Sequence, residues 1–149
     1  AGIQIVHVPY KGGGPALASL LAGETDMSFP SLAAALPQLN AGRLRALAIT
    51  GAQRSRLLPA LPTVAESGVA GYVFTSWVGV LAPATTPPAI VAALNGHIVK
   101  AMRSPDIAAR MAADGTDVVA STSEQFAALI KLEILRWAKV VKASGIKPE

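Results

Sequence analysis

Cysteine is absent from the 149 residues, and charge is scarce, with Asp, Glu, Lys and Arg together making 15%. The first absence excludes disulfides, thiolate zinc sites and a cysteine nucleophile, and suits both a cytosol and a periplasm. The second, set against 52% hydrophobic residues, excludes a disordered chain and requires most of it to pack. Aromatics are few at 5%, and the 13 basic residues are scattered, with only Arg43, Arg45, Arg54 and Arg56 close together. Nucleic-acid surfaces cluster cations among aromatic rings, so the net charge of +4 reads as a solvated basic face and no nucleic-acid partner is expected.

Long unbroken apolar runs are missing too. Residues 67–99 carry no Asp, Glu, Lys or Arg, yet Gly68, Gly71, Gly79, Pro83, Pro87 and Pro88 interrupt them. A membrane-spanning helix needs about 20 continuous apolar residues, so none is expected. The chain does not start with a basic segment, an apolar stretch and a small-residue cleavage site, so any secretory signal is expected to have been removed or to lie outside it.

Catalytic groups are equally sparse. His7 and His97 are the two histidines, neither G-x-S-x-G nor H-E-x-x-H occurs, and no histidine pair has metal-ligand spacing. His7 reads as a satisfied strand residue and His97 as a helix-surface one. Glu24 with Asp26, and Asp114 with Asp117, flank turns and read as solubilising loop charges. No catalytic residue, metal site or cofactor is expected.

What is present alternates strand-like and helix-like segments. Residues 3–8 are apolar and rich in β-branched side chains, as in a parallel strand covered on both faces. A turn cluster, Tyr10-Lys11-Gly12-Gly13-Gly14-Pro15, leads into a helix over 16–22, with Pro15 in its first turn. Further strands are predicted at 25–29, 43–50, 72–82 and 117–120. Helices are predicted at 31–39, interrupted at Pro37, then from Thr86 as cap with Pro87 first, at 105–113, and from a capping box of Thr122 and Gln125 to Gly145. Apolar stripes should be buried along the third helix (Ile90, Val91, Leu94, Ile98, Ala101, Met102) and the last (Phe126, Leu129, Ile130, Trp137, Val140, Val141). Residues 57–71 read as an ordered surface loop with one helical turn at 63–67. This alternation is that of an α/β fold with mainly parallel sheets flanked by helices.

Lys11-Gly12-Gly13-Gly14 is neither a Walker A loop nor a dinucleotide fingerprint, because the lysine precedes the glycines and position 17 is Leu. Two readings fit. Three glycines can simply make a tight turn, or they can let an anion approach the free amides of a helix N-terminus.

The stretch H-V-P-Y-K-G-G-G-P-A at 7–16 is similar to the Bug-type periplasmic receptors of tripartite tricarboxylate transporters. The likeness continues through L-L-A-G-E-T-D-M-S-F from Leu20, A-G-R-L-R-A-L-A-I-T from Ala41, L-P-T-V-A-E-S-G-V from Leu61, S-W-V-G-V-L-A-P from Ser76 and R-W-A-K-V-V-K-A-S-G-I-K from Arg136. The resemblance implies a two-lobed type II periplasmic-binding-protein fold that closes over a di- or tricarboxylate, or an acidic amino acid, and presents it to membrane transporter subunits. It implies that this chain is the latter half of a receptor, with residues 1–74 in the second, ligand-binding lobe and 75–149 returning to complete the first. By position, Tyr10, Lys11, Gly12, Gly13 and Gly14 would form the ligand loop, Phe29 and Ser31 would line the cleft, and Ser76 and Trp77 would be hinge or cleft wall. Pro30 departs from relatives that carry a polar or acidic residue there, which tilts the expected ligand from an amino acid toward a plain carboxylate. A cytoplasmic ligand-sensing domain of the same two-lobed type is the alternative, and a chain cut in this way is expected to be prone to self-association.

Overall fold

The computed structural model describes residues 4–145, which contain five helices: α1 (Gly13–Ala22), α2 (Leu32–Asn40), α3 (Pro88–Met102), α4 (Pro105–Ala113) and α5 (Ser123–Ser144). The chain divides into two compact units, Ala1–Ser76 with Arg110–Asp117, and Trp77–Ala109 with Val118–Glu149. The short return of 110–117 to the first unit is a feature that periodicity does not reveal.

Each helix follows its local signals with small adjustments. The capping box of α5 is complete: the Gln125 amide donates to Thr122 Oγ1 at 3.2 Å and the Thr122 amide to Gln125 Oε1 at 3.0 Å. Glu124, next to this cap, has its carboxyl held below the usual range, chiefly by a hydrogen bond with the Thr122 side chain. At α3 the N-cap is Pro87 and Pro88 is the first helical residue, one position later than expected, because the Thr86 amide closes a turn onto the Pro83 carbonyl at 2.9 Å. Pro37 does not interrupt α2. Its ring already has a helical φ, and in so short a helix it removes only one hydrogen bond.

The predicted strands behave differently. Among the described residues they run extended but build no ladder; the pairing present is one isolated parallel bridge, Ile49 with Thr63. Around it the Ile49 amide donates to the Pro62 carbonyl at 2.8 Å, Val64 to Ile49 at 2.9 Å and Phe74 to Thr50 at 2.8 Å. A strand needs at least one neighbouring strand, and the described residues do not supply one for 4–10 or 25–29. Side chains along the extended segments stand in the open, with Val6 at 90% exposure and Val78 at 100%. His7, expected to be enclosed within a strand, is exposed for the same reason.

The stripes expected to be buried on α3 and α5 are only half covered. These two helices pack against each other, but Ile90, Leu94, Leu129, Val140 and Val141 remain exposed. In the same unit the Phe126 ring lies edge-on to Trp77, centroids 5.2 Å apart at 86°, and seats directly on Gly79, where any Cβ would overlap it. Asn95 Nδ2 donates to the Ser121 carbonyl at 3.1 Å, tying α3 to the lead-in of α5.

The total accessible surface is 11,724 Å². A monomer of 15.2 kDa should expose about 7,100 Å², and two separate globules of half that mass about 8,600 Å². The surplus of about 3,100 Å² even on the second basis is surface of the kind that packed neighbours normally cover.

Within the first unit, the loop expected at 57–71 is anchored at its centre. Thr63 is 3% exposed, and its amide donates to Glu66 Oε2 at 2.7 Å while the Glu66 amide donates back to Thr63 Oγ1 at 3.1 Å. Arg54 Nε contacts both Glu66 oxygens at 3.0 and 3.2 Å, and Arg54 Nη1 donates to the Pro59 carbonyl at 3.3 Å. The Arg54 guanidinium and, next, the Thr63 amide hold the Glu66 carboxyl down at about 2, from an ordinary 4.5. A carboxyl depressed in the fold stabilises it above pH 4.5, and that contribution disappears as pH falls to about 2. Glu66→Gln should therefore lower the melting temperature at neutral pH, and the wild-type and variant curves should converge near pH 2 when melting is followed by circular dichroism.

Candidate ligand-binding loop

The extended segment ending at Tyr10 delivers the chain to Lys11 and Gly12, and α1 begins at Gly13. Gly12 has φ 132° and ψ 173°, a conformation in which any Cβ meets the neighbouring backbone, so only glycine occupies it without strain. It is also the N-cap, and it offers no side chain to the helix. The first main-chain bond there is Ala16 amide to Gly12 carbonyl at 3.4 Å. Among the described residues no protein acceptor meets the amides of Gly12, Gly13 or Gly14, and open space lies above all three Cα atoms.

The field at this mouth is unopposed. The first turn of α1 carries no acidic residue, and Lys11 precedes it, so the partial positive charge of the helix terminus is reinforced and not quenched. Tyr10 folds back over the helix, and its hydroxyl is hydrogen-bonded to Ser19 Oγ, nine residues on. Ser19, on the second turn of α1, is a residue that sequence reasoning missed. A small polar side chain in a helix gives no signal until its partner is known.

The other expected positions lie elsewhere. Phe29, 65% exposed, and Ser31 stand at the entrance to α2, where Ser31 Oγ is the cap and accepts from the Ala34 amide at 3.4 Å. Like α1, α2 has no acidic residue in its first turn. No hydrogen bond or ion pair among the described residues joins this entrance to that of α1. Ser76 is the last residue of the first unit before the chain passes to Trp77, whose ring packs on Phe126 in the second. The arginine group read as a solvated face is partly neutralised: Arg54 pairs with Glu66, and Arg56 Nη2 meets Asp117 Oδ1 at 2.6 Å with both side chains well exposed. Exposed pairs of this kind contribute little to stability.

Among the described residues no cluster of three His, Cys, Asp or Glu could hold a metal ion, and no helix is long and apolar enough to cross a membrane. The free amides at the mouth of α1 are hydrogen-bond donors, of the kind an anion can accept from. The roles of the glycines separate by substitution. Gly12→Ala should cost about 1–3 kcal/mol, whereas Gly14→Ala should leave the melting temperature unchanged or slightly raised, since nothing lies within 4 Å of its added methyl.

Residues 1–146 match the TctC family, described as tripartite tricarboxylate transporter family receptor. Over 146 residues the chain is 41% identical to protein BugT of Bordetella pertussis, covering 98% of this chain and 45% of BugT. It is 37% identical over 142 residues to a protein encoded between tcbD and tcbE in Pseudomonas sp. strain P51, covering 95% of this chain and 42% of that one. Among solved structures it superposes on Rpa4515 of R. palustris with adipate at a TM-score of 0.92 and 38% identity, and on the periplasmic binding protein BugD at 0.90 and 30%. It covers 50% of each of those chains and 99% of itself. MatC of Rhodopseudomonas palustris with bound malate superposes at 0.80 and 34% identity, covering 90% of this chain and 47% of that one. The chain thus spans about half the length of these relatives, and its α/β segments are part of the two-lobed periplasmic-binding-protein fold. With a match over residues 1–146 of 149, this chain belongs to the tripartite tricarboxylate transporter receptor family.

Proposed function

We propose that this chain supplies one part of the cleft of a periplasmic receptor that captures a small dicarboxylate and hands it to membrane transporter subunits, without turnover. The observation that carries this reading is the set of amides at Gly12, Gly13 and Gly14, unclaimed by the protein and facing open space at an α-helix N-terminus that has no acid beside it. A carboxylate accepts such bonds as an ion, each contributing about 1.5–3 kcal/mol, and needs no counter-charge deep in the protein. Family membership supplies the receptor role, and relatives with adipate and with malate supply the ligand class. Tyr10 and Lys11 border the mouth, and Phe29 and Ser31 form the wall at α2. Pro30 offers neither a hydrogen-bond donor nor a carboxylate for an ammonium group, which favours a plain dicarboxylate over an amino acid.

In this reading the unit of residues 1–76 with 110–117 belongs to the ligand-binding second lobe. The unit of 77–109 with 118–149 belongs to the first, and Ser76–Trp77 is the crossing between them. The unpaired extended segments receive their sheet neighbours from the rest of the receptor. Closure of the lobes shields the anion from water and strengthens every hydrogen bond to it.

The full-length gene product is expected to gain roughly 4 °C or more in melting temperature at a hundredfold excess of adipate, malate or a related dicarboxylate over its Kd. Gly14→Ala should remove that gain while sparing the unliganded melting temperature. If a broad carboxylate panel moves nothing, the ligand class is wrong.

The isolated 149-residue chain is a separate case. With about 3,100 Å² of surplus surface and an unpaired extended segment at 4–10, it should self-associate, and light scattering at two concentrations should give a mass above the monomer's 15.2 kDa. A monomer at both concentrations would count against it.

A further inference from the structure

The hydrogen bond between Tyr10 and Ser19 spans the whole glycine loop. Tyr10 is the last residue before Lys11 and the three glycines, and Ser19 sits about two turns into α1. Ahead of α1 the loop's main chain is tied to the helix by the Ala16 to Gly12 bond at 3.4 Å. Ser19 is 4% exposed and is one of only two polar residues among the described ones that are so enclosed, whereas Tyr10 is 37% exposed. A buried serine on a helix can satisfy its hydroxyl on its own main chain four residues back. Here the hydroxyl reaches across to a tyrosine on the far side of the loop.

Consecutive glycines are the costliest residues to order, and the amides of Gly12–Gly14 must point one way for an anion to use them. Fastening both flanks of the loop before the ligand arrives lowers the entropy that binding must overcome. We infer that Ser19 is a positioning residue, which holds the Tyr10 side chain against α1 and so presets the glycine-loop amides for the carboxylate. This rests on the receptor reading above and adds a residue to it. Ser19 touches no ligand; it acts through Tyr10.

The test uses the full-length gene product with adipate and malate as probes, in Ser19→Ala, Tyr10→Phe, the double variant and Ser19→Thr. Each of the first two removes one partner of a single hydrogen bond, so each should raise Kd about five- to tenfold. The double variant should be no worse than the weaker single, and Ser19→Thr, which keeps the hydroxyl, should bind within about twofold of wild type. In the ligand-free protein the amide resonances of Gly12, Gly13 and Gly14 should move in both single variants and no further in the double. A Ser19→Ala protein with a lower melting temperature but unchanged Kd and unchanged glycine amides would make Ser19 a structural residue only. Losses that multiply in the double variant would also overturn the inference. Where Ser19→Ala fails to fold, Tyr10→Phe carries the same Kd and amide readouts. A wild-type protein that binds neither probe sinks the dicarboxylate reading instead, and the ligand-free amide shifts then decide the role of Ser19 alone.

Discussion

A β-strand cannot satisfy its own backbone. Its amides and carbonyls point sideways, and a neighbour must meet them on each edge, whereas a helix closes its hydrogen bonds internally. Most of what is unusual in this protein follows from that asymmetry. All five helices form from their own signals, but 4–10 and 25–29 run extended beside no strand, and the isolated bridge of Ile49 with Thr63 is the β bridge found among the described residues. Exposed Val6 is the side-chain counterpart of unpaired backbone. The surplus surface is several times the roughly 800 Å² per partner that an ordinary complex covers, which is the scale of a core cut open and not of a docking patch.

The same constraint explains why the anchored parts of the first unit carry so much of its order. Thr63, nearly inaccessible at the parallel bridge, exchanges hydrogen bonds with Glu66, which Arg54 grips with Nε while reaching the Pro59 carbonyl with Nη1. Four points of a proline-rich segment are thereby fixed without a sheet. In the second unit Phe126 performs the comparable task with packing instead of polarity, resting on the bare backbone of Gly79 and against the edge of Trp77. Both devices are local, and both would survive the arrival of further strands.

At the mouth of α1 a second kind of open backbone appears, because a helix N-terminus also leaves amides unpaired by construction. Most helices cover that defect with a side-chain cap, as Thr122 does for α5 and Ser31 for α2. At α1 the cap is Gly12, which covers nothing, and the following glycines keep side chains away from the space above. Leaving such donors open costs stability.

Helix positions, the capping box at Thr122 and Gln125, the stop at Gly145 and the glycine turn ahead of α1 were all readable in the residues, because each depends on contacts within a few positions of chain. The family, too, was legible in the order of its short segments. Tertiary structure alone decided the rest. It decided that Pro37 sits inside α2, that Arg54 and Arg56 answer Glu66 and Asp117, that 110–117 groups with the first unit, that 4–10 and 25–29 run extended without a ladder, and that Tyr10 closes onto Ser19. Pairings such as Arg56 with Asp117, 61 residues apart, follow from where the folded chain brings side chains together, and no spacing along the sequence encodes that.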